Sequence, residues 1–490
     1  MGISLQTISI IIMAAGDSTR FCNYDSKDPC YSNSIQTKKQ WLRIGSMPLW
    51  LIVAKTIATK CLTFCCNKEL LNLIAEYRND LKNQTNQYEA DSINRNYTPN
   101  DIHETIESLI KDKHQFKYRD SLTQILNKPM LTQIIITASP KDKLYMQKLL
   151  PSTFQVQELL TQDATLEIPM QIVQGGDSRY MSLQNALDVV DSTFVLVNDC
   201  ARCNVKESVL SRLFASLAQN KYDCIAPCLP IHDTTIYVDQ DNKMQTYSHI
   251  DRNALRIIQT PQISKTNTLR ESKALNQYFS DETSAICAMP NKSIGLVLGD
   301  LAMNKITTKQ DIFLLKEIYE SNQNYSLNTP LVGMGSDIHA FEESKEMWIC
   351  GVKIESSFGF KAHSDGDVGI HAIIDSILGA MCYGDIGEIF PDTNKEFKDI
   401  DSKILLKRVY DYCLSVGLEI GNIDITIIAQ TPRISTYKSK MQETIAKILY
   451  LQKSQVSIKA STAENLGFIG RKEGVLAQCI ATLQPRELPK

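Results

Sequence analysis

Through its first 320 residues the chain alternates between short apolar, largely β-branched runs and amphipathic helical patterns, and this alternation limits the fold more than any other feature. The runs are residues 8–13, 133–138, 170–173, 194–197, 224–226 and 294–298. Helical patterns at 49–60, 141–149, 181–190, 206–217 and 309–320 separate them. Strands that are apolar on both faces and divided by helices predict a doubly wound, mainly parallel α/β sheet. Ligands of such sheets sit at the carboxyl ends of the strands.

Residues 62–130 break this rhythm. They are polar and rich in Asn, Lys, Asp and Gln, with helical patterns at 67–82 and 101–113. The expectation is an insertion off the core, partly helical and partly mobile. The polar stretch 321–329 lacks periodicity and reads as a linker. A second, smaller pattern follows, with strands near 331–336, 347–352, 422–428, 455–460 and 475–483 and helices near 368–381, 402–416 and 435–450. The predicted division is therefore 1–322 and 330–490, two α/β domains.

Composition narrows the function classes. A net charge of −3 gives no domain-wide basic excess to draw a nucleic acid. No run reaches the ~18 apolar residues a bilayer span needs, and the apolar run at 8–15 lacks the basic flank of a signal peptide. The expected compartment is the cytoplasm, with no membrane partner. The 14 cysteines are scattered, which suits small buried thiols better than a disulfide framework. Cys200-x2-Cys203 and Cys224-x3-Cys228 also have spacings compatible with a four-thiolate zinc site, although no glycine knuckle accompanies either pair.

Three of the seven histidines, His339, His363 and His371, fall within 33 residues, with Asp337, Asp365 and Asp367 beside them. Asp337 and His339 are two apart in a strand and so share a face. His371 sits about one turn into a helix that begins after Gly366. A carboxylate and two imidazoles make a three-ligand set with a vacancy, the pattern of catalytic zinc, whereas magnesium wants mainly oxygen. A lone D-x-H would more simply be a pair of surface or helix-capping polar groups.

The motifs GSDIHAF, HSDGDVGIHAIIDSILGAMCYGDIGEIFPDT, AQTPRI and KASTAENLGFIGRKEG run in order through residues 330–485. Together they closely resemble 2-C-methyl-D-erythritol 2,4-cyclodiphosphate synthase. The resemblance implies that Asp337, His339 and His371 bind zinc, that the substrate's 2-phosphate attacks the β-phosphorus of a CDP-diol, and that CMP leaves. It implies a second divalent cation held by Glu464. Ser461-x-x-Glu464 is equally a helix capping box. The same resemblance puts His363, Ser364, Thr462 and Arg471 near phosphate, Asp385 on the diol hydroxyls, and Ala429 to Ile434 around cytosine. Arg433 stands where the family often has Lys. It also implies trimers with sites between subunits.

In the first two thirds, Ala14-Ala15-Gly16 follows the first strand, where small residues let backbone N–H groups approach a phosphate, and Arg20 adds charge. This is not the dinucleotide G-x-G-x-x-G. Asp199 ends an apolar strand and suits magnesium on a triphosphate, or a turn. AAGDSTRF, KKQW, GGDSRYMSLQNAL, VLVNDCAR, PIHDTT, TPQ and SDETSA, with Lys305, resemble 2-C-methyl-D-erythritol 4-phosphate cytidylyltransferase over about 1–60 and 131–320. The resemblance implies a Rossmann-like nucleotidyltransferase in which the substrate phosphate attacks the α-phosphorus of CTP. Arg20 and Lys39 would steady the transition state and Asp199 would hold magnesium or manganese. Arg179 and Ser182 would lie near cytosine and ribose, and Asp233, Thr260 and Lys305 near the sugar phosphate.

Several positions depart from that family's pattern: Lys38 for Pro, Trp41 for Tyr, Ala186 for Gly, Asn198 for His, Cys200 for Ala and Cys203 for Pro. They leave open a degenerate nucleotide-binding or scaffolding N-terminal domain, or a different sugar-phosphate acceptor. The two implied reactions are not consecutive, since a kinase step lies between them. No G-x-x-x-x-G-K-[ST] is present, so a separate kinase is an implied metabolic partner.

Overall fold

The computed structural model describes residues 5–16, 37–85, 95–111, 116–156, 164–238, 246–308, 311, 330–362, 364–391, 393–397 and 400–486. The chain divides into two compact units, Met1–Ser18 with Leu49–Ile318 and Thr19–Pro48 with Tyr319–Lys490. The expected helix at 309–320, the linker at 321–329 and the 322/330 boundary lie outside the described residues, apart from position 311.

In the first unit, β1 (Thr7–Met13), β2 (Arg95–Tyr97), β3 (Met130–Ala138), β4 (Thr153–Val156), β5 (Ala164–Gln174), β6 (Phe194–Asp199), β7 (Cys224–Pro230), β8 (Arg256–Ile258), β9 (Gln262–Lys265) and β10 (Ile294–Leu298) build one ten-stranded sheet. Its path is β8–β7–β9–β6–β1–β3–β5–β2, with β10 on β7 and β4 on β5. The central β5–β3–β1–β6 group is parallel, as the buried apolar runs predict. The sheet departs from that pattern at β9, which runs antiparallel between β6 and β7. Only four residues long, QISK, it offers too little periodicity to be seen in the sequence. The strand order reverses at β1, and its register puts Met13 opposite both Thr137 and Asp199. The crevice of such a sheet forms at that row.

After α1 (Leu49–Leu62), the insertion is helical over α2 (Asn67–Thr85), α3 (Pro99–Lys111) and α4 (Phe116–Ile125), but it is not an excursion off the core. Leu70, Ile74, Ile102 and Ile106 are fully buried, each pair one turn apart. The Asn67 side chain closes the junction by donating to the Leu131 carbonyl and accepting from its N–H, both at 2.9 Å. β2 adds a parallel strand to β5. Among the described residues no single helix is long and apolar enough to cross a membrane.

In the second unit, β11 (Leu331–Glu343), β12 (Phe358–Phe360), β13 (Leu418–Ile428), β14 (Val456–Ser461) and β15 (Gly474–Pro485) form a sheet in the order β12–β11–β15–β13–β14. The alternation of β11 assigns its faces. Gly333, Gly335, Asp337 and His339 point one way and Val332, Met334 and Ile338 the other. The helix α5 (Val368–Ala380) lies on the glycine face. A Cβ at Gly333 would stand 2.1 Å from the Ser376 carbonyl, and one at Gly335 2.1 Å from that of Ala372. The helix axis can come this close only because both positions are glycine. Val368, Ile370, Ile373, Ile374, Ile377 and Leu378 of α5 are all buried, each contributing roughly 1.5–3 kcal/mol of apolar burial.

The first unit does not include the segment carrying Lys39, contrary to a boundary at 322. Thr37 Oγ1 donates to the Leu414 carbonyl, Lys38 N–H to that of Ser415, and Arg43 Nε to that of Val416 at 2.9 Å. Gly417, at φ +76°, leaves room for the Trp41 carbonyl. These bonds group residues 37–48 with the second unit.

Candidate active sites

At the carboxyl end of the first unit's sheet, the loops after β1 and β5 touch. A Cβ on Gly175 would lie 2.4 Å from Ala15 Cβ and 2.7 Å from Ser182 Oγ. Ala14 N–H donates to Thr137 Oγ1 at 3.0 Å. Ser182 Oγ accepts from Gly176 N–H at 3.1 Å and donates to the Ser178 carbonyl at 2.8 Å, so it shapes the glycine turn. Ala15, Gly175 and Ser182 thus meet at the carboxyl end of the sheet, and Gly16 follows Ala15 there. Arg20 lies outside the described residues.

Asp199 ends β6 with both oxygens engaged. Oδ1 takes Arg179 Nε at 2.8 Å and Oδ2 takes Lys305 Nζ at 2.6 Å. Burial alone would raise this carboxyl; Arg179 and Lys305 outweigh burial and hold it well below the usual carboxylate range. Thr260 Oγ1 accepts from Asp199 N–H at 3.1 Å and donates to Asn198 Oδ1, so Thr260 fixes the backbone under the carboxylate. The sequence reading missed Glu282. It is fully buried and forks onto Arg179 at 2.8 and 3.3 Å. Burial pushes its pKa up against the pull of Arg179. Its one sequence signal was its place inside SDETSA.

Asp233 does not join this group. It is exposed beyond the end of β7, and its carbonyl accepts from Thr235 Oγ1. Lys39 stands in a 3-10 turn (Lys39–Trp41) bonded within the second unit. Cys200, Cys203, Cys224 and Cys228 are buried and in no disulfide, and burial pushes Cys203 up to about 11. Among the described residues they form no ligand cluster, so the four-thiolate arrangement is not made.

The second unit gathers Asp337, His339 and His371. Asp337 Oδ2 lies 2.9 Å from His339 Nε2 and 3.0 Å from His371 Nδ1, and the two nitrogens are 3.3 Å apart. Burial would raise the Asp337 carboxyl, but the two imidazoles hold it well below its usual range. Asp337 in turn outweighs burial to raise His339. The spacing suits ligands around one tetrahedral ion with bonds of about 2.0–2.1 Å, which stand roughly 3.3 Å apart. One carboxylate with two imidazoles is a zinc-type donor set, so the residues fit the metal the sequence implies.

The helix delivers His371 through its own cap. Asp367, fully buried, caps α5 by accepting from Ile370 N–H at 2.9 Å and also takes Cys350 N–H at 2.7 Å. Ser364 Oγ lies 3.3 Å from His371 Nε2 and accepts from Gly366 N–H; His363 lies outside the described residues. Asp385 caps the turn of helix Ile386–Ile389 through Glu388 N–H.

The remaining positions collect at the ends of β13 and β14. Ala429 N–H bonds the Ser461 carbonyl, and Asn465 N–H bonds Gln430 Oε1. Arg433 follows the cis Thr431–Pro432 bond, with its Nε on Ser435 Oγ. The capping box is not made. Ser461 ends β14, and Glu464 has φ +50° and takes the Thr462 hydroxyl. Arg471 is forked onto Glu473 at 2.7 and 3.1 Å.

Comparison with known proteins agrees with both halves. The family model for 2-C-methyl-D-erythritol 4-phosphate cytidylyltransferase matches residues 115–321, and that of the YgbB family matches 331–484. A bifunctional enzyme IspD/IspF of Campylobacter curvus is 36% identical over 97% of this chain and 98% of its own length. Another, of Aliarcobacter butzleri, is 35% identical over 97% of each. The solved structure of the bifunctional IspDF from Campylobacter jejuni, 32% identical, superposes with a TM-score of 0.67 over 99% of this chain and all of its own. The chain belongs to the bifunctional IspD/IspF enzymes, which join a cytidylyltransferase domain to a cyclodiphosphate synthase domain in one polypeptide.

Proposed function

We propose that both domains are competent, and that each works through the charged group described above. In the first, the amides of Ala14–Gly16 and the Gly175–Gly176 turn face the triphosphate of CTP, and Arg179, pinned by Glu282, orients the nucleotide. Lys305 leaves Asp199 for the phosphate of methylerythritol 4-phosphate, which attacks the α-phosphorus and expels pyrophosphate. Magnesium or manganese at Asp199 would neutralise triphosphate charge. Arg20 adds positive charge for the transition state.

In the second domain, Asp337, His339 and His371 hold zinc, which would supply Lewis-acid polarisation of a phosphoryl oxygen. Ser364, His363 and Thr462 position phosphate, Arg471 balances its charge, Asp385 takes the diol, and Ala429 to Ile434 line cytosine. Glu464 holds the second divalent ion. The substrate's 2-phosphate closes on the β-phosphorus, and CMP leaves. The reading rests above all on the meeting of three ligand atoms from Asp337, His339 and His371.

The register supports a site shared between copies. Ile338, Leu476, Ile428 and Ser461 lie in one row across four strands, which separates the metal group from Thr462 by about 14 Å at ~4.8 Å per strand. Val332, Met334 and Ile338 are 60%, 62% and 53% exposed on the face opposite α5, beside Ile480 at 47%. A row of this kind fits a self-association surface, and the proposed assembly is a trimer. The intermediate product goes to a separate kinase, and the enzyme acts in the cytoplasm, where its buried thiols stay reduced.

The test uses the intact chain in two assays, pyrophosphate release with CTP and methylerythritol 4-phosphate, and CMP release from the CDP-diol phosphate. Both should proceed, with Asp337→Ala stopping only the second. Absence of pyrophosphate release from the folded chain would favour a scaffolding N-terminal domain.

A further inference from the structure

The outer nitrogen of His371 meets a relay that no ligand assignment requires. Its Nε2 lies 3.0 Å from Ser402 Oγ, on a fully buried serine that opens helix α6 (Ser402–Ser415) from a distant part of the chain. Ser402 Oγ donates to Asp365 Oδ1, and Ser402 N–H donates to Asp365 Oδ2 at 3.0 Å. Asp367 N–H adds a further bond to Asp365 Oδ1 at 3.3 Å.

Proton counting then fixes the imidazole. A serine hydroxyl has one proton to give. Asp365 takes it, so Ser402 Oγ, the nearer of the two hydroxyls at His371 Nε2 (Ser364 Oγ stands at 3.3 Å), accepts a hydrogen bond from that nitrogen. In the metal-loaded chain Nδ1 then offers its lone pair to the ion, beside Asp337 Oδ2 and His339 Nε2. The other imidazole is held the same way, with Nδ1 3.3 Å from the Lys361 carbonyl and Nε2 turned inward. Without Asp365, the Ser402 hydroxyl could rotate and donate to Nε2. The proton would then move to Nδ1 and block the ligand atom.

We infer that Ser402 and Asp365 are positioning residues that hold His371 in the tautomer and orientation needed for metal binding. The inference rests on the zinc reading above. Partners of this kind fix ring orientation and raise ligand basicity, and their loss typically weakens metal affinity about 10–100-fold.

The experiment titrates zinc against a chromophoric chelator with the intact wild-type chain, Ser402→Ala, Asp365→Ala and, as reference, Asp337→Ala. Selective 15N labelling of histidine reports how fast the His371 Nε2–H of the zinc-loaded chains exchanges with water, a measure of its hydrogen bond to Ser402. Zinc affinity should fall about 10–100-fold in Ser402→Ala and Asp365→Ala, exchange of the His371 Nε2–H should quicken, and pyrophosphate release should not change. Wild-type affinity in Ser402→Ala overturns the inference, as does lost affinity with the Nε2–H exchange unchanged. A wild-type chain with no zinc that Asp337→Ala loses would instead overturn the metal reading, and the inference with it.

Discussion

Substituting Gly335→Ala adds one methyl group on the strand face that carries Asp337 and His339. That methyl would stand 2.1 Å from the Ala372 carbonyl, 2.6 Å from Ser376 N and 2.9 Å from Asp375 Cβ. Two of these atoms are helix backbone, so no rotamer can relieve the clash. To restore ordinary contact the helix must lift by about 1 Å, because packed interiors offer no slack. Overpacking of this size costs roughly 1–3 kcal/mol. The same lift carries His371, one residue before Ala372, away from Asp337, where the present separation is 3.0 Å. Misplacement of about 1 Å can cost roughly 100-fold in rate. The assay follows CMP release and zinc affinity, with pyrophosphate release by the other domain as internal control. Both should fall, cyclisation by about 100-fold, while pyrophosphate release holds. A Gly335→Ala chain that cyclises and binds zinc like wild type would refute the argument that close helix approach builds the site.

Asp199→Asn should reduce pyrophosphate release at least about 100-fold, the order seen when a site loses one electrostatic contact, and leave cyclisation within twofold of wild type. Asp281 caps helix Glu282–Cys287 in a capping box with Ser284. Burial would raise its carboxyl, but the Ser284 N–H and the Gln262 and Thr283 side chains hold it below its ordinary value. A depressed acid stabilises the fold above its unfolded pKa near ~3.9 and loses that contribution as pH falls. Asp281→Asn should therefore lower the first unit's Tm at neutral pH, and the gap should close on acidification toward about pH 3; a gap independent of pH contradicts this. Met334→Asp puts a charge on the exposed row of β11 and should shift the mass measured by light scattering toward the single chain, with cyclisation lost; an unchanged mass would move the interface elsewhere.

The residues of the metal group were legible because strand alternation and one helical turn are fixed geometry. Asp337, His339 and His371 could be placed on facing surfaces from numbering alone, and Gly333 and Gly335 continue the same face. Ser402 was not legible. It is one serine at a helix start, and only folding brings it to His371. Glu282 was equally silent, since a buried acid and an exposed one look alike until the partner is known. The insertion was misread from its polar composition. The i, i+4 pairs Leu70/Ile74 and Ile102/Ile106 carried the correct signal, a buried stripe on an otherwise polar helix. The capping box at Ser461 failed because Glu464 adopts φ +50°, which no helix start allows. Lys39 shows the limit of motif order. KKQW keeps its place in the sequence, yet its neighbours are tied to Leu414 and Ser415.

X-ray absorption at the zinc edge of the loaded, intact chain bears most directly on these claims. The geometry of Asp337, His339 and His371 predicts one zinc per chain with two imidazoles and an oxygen at about 2.0–2.1 Å, and loss of that signal in His371→Ala. A thiolate shell at about 2.3 Å, or a spectrum unchanged by His371→Ala, would contradict it.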